Sequence, residues 1–494
     1  MFQLSIALPS GQTEIISIPQ SSKVGDLTIL AQKTFGSCGF LRLLTASGHA
    51  LTDSVASLSA AGLQDRDHLT ALAVQGSIAA TQEAFALWCC GGNRIVAWGA
   101  PDSGGDNSAI QDLLRNVQQV KALKTGFHAG AITNGAFAVI LAGGSVITWG
   151  ASTAGGDSSA VQNQLRSVQQ LQSTAQAFAA ILEGGSVVTW GSPAHGGDSS
   201  AVQCQLGHVC QIQATSQAFA AVLKDRSVVT WGNAYFGGDS STVQDRLQRV
   251  QQIQANGFAF AAILEDGSAV TWGIESYGGN SFTVQDKLKS VQHVQATMFA
   301  FAAILADGSV VSWGFPGHGG DSSAVQDQLR DVCQVQATAL AFAAILRDGS
   351  VIAWGSSDHG GDSSSVQGQL RSVQKLQAAR NAFAAIREDG SVVAWGDPEN
   401  GGDCSDVQDQ LRRVQQVQAT LYAFAAILDD GSVVTWGNPA HGGDSSAVKG
   451  QLKNVQQVQA TSLAFAAVLK DGSVVTWGNH TAGGYLPEGQ HLFL

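Results

Sequence analysis

The sequence predicts a mainly β protein built from tandem repeats, because a Trp-Gly pair recurs along almost its whole length. The spacing is 51 residues between the first two copies and 41 residues for each of the eight steps that follow. A period this strict is the signature of a repeat architecture, in which neighbouring units bury one another's apolar faces. The tryptophans of the ten copies are Trp98, Trp149, Trp190, Trp231, Trp272, Trp313, Trp354, Trp395, Trp436 and Trp477.

One unit, residues 257–273, shows why each copy is expected to be a small sheet. It reads GFAFAAILEDGSAVTWG, with two short apolar runs joined by Asp266-Gly267. An Asp-Gly pair between apolar runs predicts a β-hairpin, because a tight turn needs residues that tolerate positive φ. A third run, residues 250–255, precedes the hairpin and predicts one more strand. Each unit is therefore expected to hold three short strands.

A polar connector follows each Trp-Gly pair, as in residues 319–329. Its Gly-Gly-Asp-Ser-Ser start predicts a turn followed by a short helical segment, since the side-chain oxygens there accept hydrogen bonds from free backbone N–H groups.

Composition and charge exclude several classes of function. The 494 residues carry a formal net charge of −12, which argues against a nucleic-acid surface that needs clustered Lys and Arg. The apolar runs are too short for a membrane helix, which takes about 20 residues. The N-terminus shows no secretory signal pattern. We expect a protein of the cytoplasm, with the nucleus as the alternative, and an oligomeric state that the sequence leaves open.

The seven cysteines follow no repeat spacing. An odd number of scattered cysteines predicts free, buried thiols in a reducing compartment, and no cofactor or metal is expected. The seven are Cys38, Cys89, Cys90, Cys204, Cys210, Cys333 and Cys404.

Residues 1–75 lie outside the repeat and predict a separate domain. Alternating apolar residues over 2–18 predict a hairpin, residues 24–31 a helix, and residues 41–44 and 69–74 two further strands. With LRLLTASGHALTD and DHLTALAV, this order resembles ubiquitin-like domains and implies a β-grasp fold. The resemblance places a partner-binding apolar patch at Pro9, Leu44 and Leu72. The alternative is a β-grasp domain that only packs on the repeats.

The repeats in 76–494 resemble those of the regulator of chromosome condensation family. The resemblance rests on the motif DGSVVTWG, which is preceded by AFAAIL and followed by a Gly-Gly connector. The short unit is closer to the three-stranded blades of the beta-lactamase inhibitor protein II branch. Both resemblances imply a β-propeller. Because ten units do not match the family's usual seven blades, an open β superhelix or solenoid stays the alternative.

The connector loops supply the candidate binding residues of the repeats. A histidine precedes Gly-Gly-Asp in four units, but other units carry Phe236, Tyr277, Asn400 or Ala154 there, which argues against a metal site. The Asp is interpreted as a turn residue. The candidate residues are His195, Asp198, Asp239, His318, Asp321, His359, Asp362, His441 and Asp444.

These features predict a non-catalytic scaffold or adaptor that binds protein partners, because a repeat array offers many similar loops on a rigid frame. The ubiquitin-like domain links it to a receptor of the ubiquitin pathway, and the repeats hold a client protein. The alternative is a guanine-nucleotide exchange factor or another regulator of a small GTPase. For that function the break in repeat symmetry at residues 124–133, with Lys124 and His128, would be the contact segment.

Overall fold

The computed structural model is mainly β, with one α-helix in its described residues. It describes residues 1–8, 12–35, 40–51, 56–74, 76–89, 95–114, 117–122, 135–471 and 473–486. No helix within these ranges is both long enough and apolar enough to cross a membrane.

The N-terminal unit is a four-stranded sheet with one helix. It consists of β1 (Phe2–Ala7), β2 (Thr13–Ile18), α1 (Val24–Phe35), β3 (Phe40–Thr45) and β4 (His68–Val74). The strand order is β2-β1-β4-β3, with β1 parallel to β4 and the other pairs antiparallel. The predicted hairpin, helix and two later strands are all present in the predicted order.

One apolar cluster holds this unit together. Leu4 and Ile6 of β1 pack with Val24 and Leu27 of α1, and all four side chains are buried. Alternate residues of β1 and residues three apart on α1 face the same side, which is why the sheet and the helix share a core.

Ten three-stranded antiparallel sheets follow, and we number them in chain order. The strands are, for sheet 1, β5 (Gly76–Ala80), β6 (Ala84–Cys89) and β7 (Ile95–Gly99); sheet 2, β8 (Val117–Ala122), β9 (Ala136–Leu141) and β10 (Val146–Gly150); sheet 3, β11 (Val168–Ser173), β12 (Ala177–Leu182) and β13 (Val187–Gly191); sheet 4, β14 (Val209–Ala214), β15 (Ala218–Leu223) and β16 (Val228–Gly232); sheet 5, β17 (Val250–Ala255), β18 (Ala259–Leu264) and β19 (Ala269–Gly273); sheet 6, β20 (Val291–Ala296), β21 (Ala300–Leu305) and β22 (Val310–Gly314); sheet 7, β23 (Val332–Ala337), β24 (Ala341–Leu346) and β25 (Val351–Gly355); sheet 8, β26 (Val373–Ala378), β27 (Ala382–Arg387) and β28 (Val392–Gly396); sheet 9, β29 (Val414–Ala419), β30 (Ala423–Leu428) and β31 (Val433–Gly437); sheet 10, β32 (Val455–Ala460), β33 (Ala464–Leu469) and β34 (Val474–Gly478).

Sheet 5 shows how the repeat sequence forms each sheet. The second and third strands pair so that Phe260 lies opposite Trp272, and their rings stack with centroids 5.1 Å apart. At the predicted turn, Gly267 has φ +77°, and Asp266 Oδ1 accepts hydrogen bonds from the backbone N–H and the hydroxyl of Ser268. The Asp-Gly prediction is therefore confirmed: glycine supplies the positive φ and aspartate satisfies the free donors.

Neighbouring sheets are joined by packing and by one indole hydrogen bond. Trp272 of sheet 5 donates from Nε1 to the carbonyl oxygen of Gly237, which follows sheet 4, at 3.0 Å. Alanines on the facing strands allow close approach: Ala218 and Ala220 of sheet 4 pack in one cluster with Phe260 of sheet 5. The large Phe-Trp pair on one sheet thus fills the space above small residues on the next.

The tenth sheet contacts the first in the same way. Trp98 of sheet 1 donates from Nε1 to the carbonyl oxygen of Gly483, which follows sheet 10, at 3.1 Å. Phe85 and Trp98 pack in one cluster with Ala464 and Ala466 of sheet 10. The sheets stay separate three-stranded units, and their contacts return to the starting point, so the ten sheets form a ring.

The first strands of neighbouring sheets contact one another, as β14 does β17, whereas the connectors pack on the third strands. The first strands therefore lie on the inner side of the ring and the connectors on its outer side. In eight connectors an Asp accepts a hydrogen bond from the backbone N–H two residues later, as Asp198 does from Ser200, and Asn280 does the same in the fifth connector. Asp198 precedes the N-cap residue, Ser199, whose own side chain makes no capping hydrogen bond. The predicted turn is present, and the aspartate closes it instead of capping the helix.

The connectors contain short 3-10 helices. Directly after the third strands these are Pro101–Ser103, Ser152–Ala154, Pro193–His195, Ala234–Phe236, Glu275–Tyr277, Pro316–His318, Ser357–His359, Pro398–Asn400, Pro439–His441 and His480–Ala482. The later ones are Ser108–Leu113, Ser159–Val161, Ser200–Gln205, Gln244–Arg246, Phe282–Lys287, Ser323–Gln328, Ser364–Gln369, Ser405–Val407 and Ser446–Val448.

The cysteines correct one expectation. Cys204, Cys210, Cys333 and Cys404 are free thiols, but only Cys404 among these four is buried. Cys210 and Cys333 occupy an exposed position of the first strand that other sheets fill with glutamine, which is why they face solvent. The side chains of the other three cysteines lie outside the described residues.

Candidate functional site

One edge of the ring gathers two loops from every sheet. In a three-stranded antiparallel sheet, the turn between the first two strands and the end of the third strand lie at the same end. Sheet 4 shows the link: Asn233, after the third strand, donates its N–H to Gln217 in the first turn, at 2.9 Å. Thr215 Oγ1 donates to the carbonyl oxygen of Phe236 at 3.0 Å. We call this edge the front rim and the opposite edge, with the Asp-Gly turns, the back rim.

A series of backbone hydrogen bonds ties the front rim together. In the first turns of seven sheets, an N–H donates to a carbonyl oxygen in the first turn of the next sheet, which holds those adjacent loops at a fixed distance. The pairs are Ala175 to Ser216, Ser216 to Gly257, Met298 to Ala339, Ala339 to Arg380, Arg380 to Leu421, Leu421 to Ser462 and, across the junction of the ring, Ser462 to Gln82.

The front rim is chemically uneven, because aromatic residues are concentrated on sheets 4 to 6. First turns supply two of them, and the 3-10 helices and linking residues after the third strands supply the others. We call this set the aromatic arc: Tyr235, Phe236, Phe258, Tyr277, Phe299 and Phe315, with His318 at its end.

The rings of the aromatic arc contact one another across sheet boundaries. Phe258 stacks on Phe299 with centroids 5.1 Å apart and planes 14° from parallel. Tyr277 meets Phe299 edge-on at 4.8 Å, and Phe236 lies 5.3 Å from Phe258. At the other end, Phe315 lies 4.5 Å from the His318 ring. Offset stacks and edge contacts are the favourable geometries for such pairs, so the rings support one another in place.

Part of this arc faces solvent. The Tyr235 side chain is 81% exposed and the Phe315 side chain 39% exposed. Phe236, Phe258, Tyr277 and Phe299 are half-buried beneath and beside them. A contiguous group of accessible aromatic rings is unusual on a protein surface that binds nothing.

The charges around the arc are negative. Glu275, exposed on the front rim, lies two residues before Tyr277, and the connectors place Asp239 and Asp321 three residues after Phe236 and His318. Hydrogen bonds from Ser241 and Ser323 hold the pKa of the Asp239 and Asp321 carboxyls below the ordinary value, so both are ionised at neutral pH. From sheet 3 to sheet 7 the front-rim loops contain no Lys or Arg.

The four candidate histidines all lie in front-rim 3-10 helices. Serine hydroxyls contact Nδ1 of His195 at 2.9 Å and Nδ1 of His359 at 3.1 Å. In sheet 6 Phe315 replaces that serine, and His318 Nδ1 is buried without a hydrogen-bond partner. His441 Nδ1 is also without a partner, and its ring packs on Tyr422. The structure thus brings one of the four, His318, into the aromatic arc.

The candidate aspartates lie on the outer side of the ring, where each closes its own connector turn. The bonds to the second serine are 2.9 Å for four of them and 2.8 Å for Asp444; the four are Asp198, Asp239, Asp321 and Asp362. These carboxylates have a structural hydrogen bond and remain exposed, so they can contribute charge to a partner-binding surface. Within the described residues, no group of three or more His, Cys, Asp or Glu is placed to hold a metal ion.

The other candidates are only partly described. Leu44, in β3, is half-buried and its strand bridges to Ala50. Pro9, Lys124 and His128 lie outside the described residues, as does the side chain of Leu72. The proposed patch on the N-terminal unit and the segment around Lys124 therefore stay predictions.

The four half-buried histidines predict a pH dependence of stability. Burial lowers the pKa of His195, His318, His359 and His441 below the ordinary value of about 6.5. The unfolded chain then binds more protons than the folded chain just below that value, so stability is full above about pH 6.5 and falls as the pH drops further. We expect the thermal unfolding midpoint to decrease as the pH is lowered from 7.5 to 5.5. This range lies above the pH at which the carboxylates titrate.

A variant with all four histidines changed to glutamine checks this expectation. Circular dichroism should show a flatter dependence of the unfolding midpoint on pH than the wild type shows. An equally steep dependence in the variant would assign the effect to other groups.

Sequence reasoning missed the aromatic arc. In the sequence, Phe236 and Tyr277 stand out only as residues that replace the histidine in their units. The available signal was a comparison of all units position by position, which shows Phe258 and Phe299 in neighbouring first turns as well. The sequence does not show that the first turns and the loops after the third strands lie next to each other on one rim.

Comparisons with known proteins come from structure alone. No family model and no curated protein matches this sequence. Yeast RCC1 (Prp20), solved bound to Kap60, is 16% identical over 50% of this chain and 74% of its own, with a TM-score of 0.30. Prp20p from Saccharomyces cerevisiae, solved in a study of its binding to Gsp1p and histones, is 14% identical over 49% and 74%, with a TM-score of 0.29. The ectodomain of the Physcomitrella patens receptor kinase CR4 is 13% identical over 62% and 76%, with a TM-score of 0.32. At these values the likeness carries no functional argument, and the description of the fold rests on the contacts given above.

Proposed function

We propose that this protein is a non-catalytic scaffold, a ten-bladed β-propeller over residues 76–494 that holds a protein partner on its front rim. The observation that carries this proposal is the aromatic arc, an accessible group of rings concentrated on three neighbouring sheets of the front rim. Aromatic residues dominate the energetics of protein interfaces because they bury much area with little loss of conformational entropy. Backbone hydrogen bonds join the first turns of sheets 4 and 5 and of sheets 6 and 7, and the stack of Phe258 on Phe299 joins those of sheets 5 and 6. These contacts restrict the motion of the loops, which lowers the entropic cost of binding.

Residues 1–75 are proposed to be a ubiquitin-like β-grasp domain that recruits a receptor of the ubiquitin pathway. The support is the strand order β2-β1-β4-β3 with its parallel central pair and the helix between β2 and β3. Leu44 remains the residue proposed for contact. The protein would then act as an adaptor between that receptor and the client on the ring, in the cytoplasm or the nucleus.

Regulation of a small GTPase is the second candidate function. This candidate rests on the resemblance of the DGSVVTWG repeats to those of the regulator of chromosome condensation family. For this function the segment 124–133 is proposed as the contact, and deleting it should reduce nucleotide exchange on a GTPase partner while leaving the unfolding midpoint unchanged.

The test of the scaffold proposal is a quantitative pull-down with the full chain and three variants. The arc variant carries Tyr235→Ser and Phe315→Ser, which change exposed rings and so should leave the core intact. Its matched control is Tyr485→Ser, another front-rim aromatic residue, 53% exposed, that lies outside the arc. The third variant, Leu44→Glu, tests the N-terminal unit.

We expect the arc variant to lose at least one partner that the wild type and the Tyr485→Ser control retain at equal levels. Loss of about tenfold corresponds to about 1.4 kcal/mol, which is within the range for two interface aromatics. Proteins of the ubiquitin pathway should disappear only with Leu44→Glu. If the arc variant keeps every partner of the wild type, the front-rim proposal is wrong.

A further inference from the structure

We infer that the occupant of the aromatic arc is a basic segment of a partner protein, whose Lys or Arg side chains lie on the exposed rings. This inference rests on the proposed scaffold function and adds the chemical class of the partner. Two independent features of the surface point to it, namely the faces of the rings and the sign of the surrounding charges.

The first feature is the set of aromatic ring faces that the arc presents to a partner. The arc joins five aromatic rings of neighbouring sheets into one series of contacts at 4.8 to 5.3 Å, except for the longer approach of Phe315 to Tyr277 at 6.3 Å. Phe315 and Tyr235 are the most exposed rings of the arc. A guanidinium or ammonium group over such a face is attracted by the ring quadrupole, by about 0.5–1 kcal/mol at exposed sites. A purely aliphatic partner would use the apolar area but not this attraction.

The second feature is the charge pattern. Glu275 lies two residues before Tyr277 of the arc, and Asp239 and Asp321 flank the arc. Among the described residues of the front rim, the nearest cation along the ring is Arg380 of sheet 8. Arg380 itself donates from Nη1 to the hydroxyl of Tyr422 at 3.2 Å, on the side away from the arc. The whole chain is acidic as well, with a net charge of −12. Complementary charge steers association and excludes acidic partners, so a basic segment is favoured over a neutral or acidic one.

The backbone geometry keeps these groups together. Ile274 donates its N–H to the carbonyl oxygen of Phe258 at 3.1 Å, and Asn256 Nδ2 donates to the carbonyl oxygen of Tyr277 at 2.7 Å. The helix that carries Glu275 and Tyr277 is thus tied to the turn that carries Phe258. The carboxylate and the rings are therefore presented by one connected set of loops.

The experiment measures binding of fluorescein-labelled 12-residue peptides to the full-length protein by anisotropy. The three probes have the sequences (Gly-Arg-Leu) repeated four times, (Gly-Gln-Leu) repeated four times and (Gly-Glu-Leu) repeated four times. They share length and leucine content and differ in charge. We expect the arginine peptide to bind at least about tenfold more tightly than the glutamine peptide, with an affinity that falls as salt increases, and the glutamate peptide not to bind.

Two matched pairs of variants locate the site. Tyr235→Ser with Phe315→Ser should weaken binding of the arginine peptide about tenfold, whereas Tyr485→Ser should not change it. Glu275→Gln should weaken binding about threefold and reduce its salt dependence. Glu265→Gln, which changes the net charge equally but lies at the back rim of the same sheet, should have little effect.

Each outcome decides the inference. It is overturned if the glutamine peptide binds as tightly as the arginine peptide, if the arc variant binds the arginine peptide as the wild type does, or if Glu265→Gln acts like Glu275→Gln. Should the pull-down partner still depend on the arc in that case, the scaffold proposal stands and only the basic class of its partner is wrong. Concentration-dependent self-association through the arc, seen by sedimentation, would likewise replace the basic partner with a second copy.

Discussion

Gly360→Ala is expected to destabilise the protein by about 2–5 kcal/mol, because the new methyl group meets both backbone strain and a steric clash. Gly360 has φ +87°, a conformation that L side chains rarely adopt. A Cβ at this position would lie 2.7 Å from Cδ2 of Phe383, the aromatic residue that the next sheet packs against this connector. Relief requires movement of a fully buried ring in a packed interface, which is costly.

Gly368→Ala is the matched control, since it lies in the same connector. A Cβ there would have no heavy atom within 4 Å, and the backbone does not have positive φ. We expect a change of about 0.4–1 kcal/mol in the stabilising direction, because alanine reduces the entropy of the unfolded chain. Urea unfolding followed by tryptophan fluorescence measures both. Equal effects of the two substitutions would contradict the described packing of Gly360 against Phe383.

Trp98→Ala is expected to cost about 3–5 kcal/mol, the usual range for removing a buried large aromatic side chain. The indole is 2% exposed, stacks on Phe85 at 5.2 Å and donates to Gly483 across the junction of sheets 1 and 10. Its substitution therefore leaves a cavity at the point where the ring closes.

The comparison with Trp313→Ala turns this prediction into a test of ring closure. Trp313 is equally buried, stacks on Phe301 at 5.3 Å and donates to Gly278 inside the series of sheets. In a closed ring both substitutions should lower stability by similar amounts. In an open superhelix the first sheet would be a free end, so a cost below about 1 kcal/mol for Trp98→Ala alone would favour that alternative.

The local structure of the repeats was predictable because it depends on contacts within one unit. Asp266-Gly267 specifies its turn through residues next to it in the chain, and the alternation around Phe260 and Trp272 specifies the strand faces. The N-terminal unit was predictable for the same reason, since its hairpin and helix follow from the periods of their apolar residues. The prediction that Cys210 and Cys333 are buried was wrong. The general preference of thiols for buried sites does not determine exposure at a strand position that faces the inside of the ring.

The candidate site was predictable only in part. Because histidine and aspartate recur at regular positions, the sequence indicates a binding site in the connector loops. In the structure His318 belongs to the front rim, and the aspartates close turns. Contacting rings of the aromatic arc are up to 41 positions apart in the chain, as Phe258 and Phe299 are. They come together because the first turns of adjacent sheets lie at the same edge of the ring. A unit-by-unit comparison detects the composition of this surface but not its continuity.

The sequence by itself determined that the chain repeats, that each unit holds three strands, and which residues make the turns and the Phe-Trp cores. Only the tertiary structure decided that ten sheets return to their starting point and that one arc of the front rim is aromatic and acidic. The physical reason is one of range. Turns and strand faces are specified by neighbours in the chain, whereas closure of a ring is the sum of small rotations between sheets, and a surface is the sum of loops that the ring brings together.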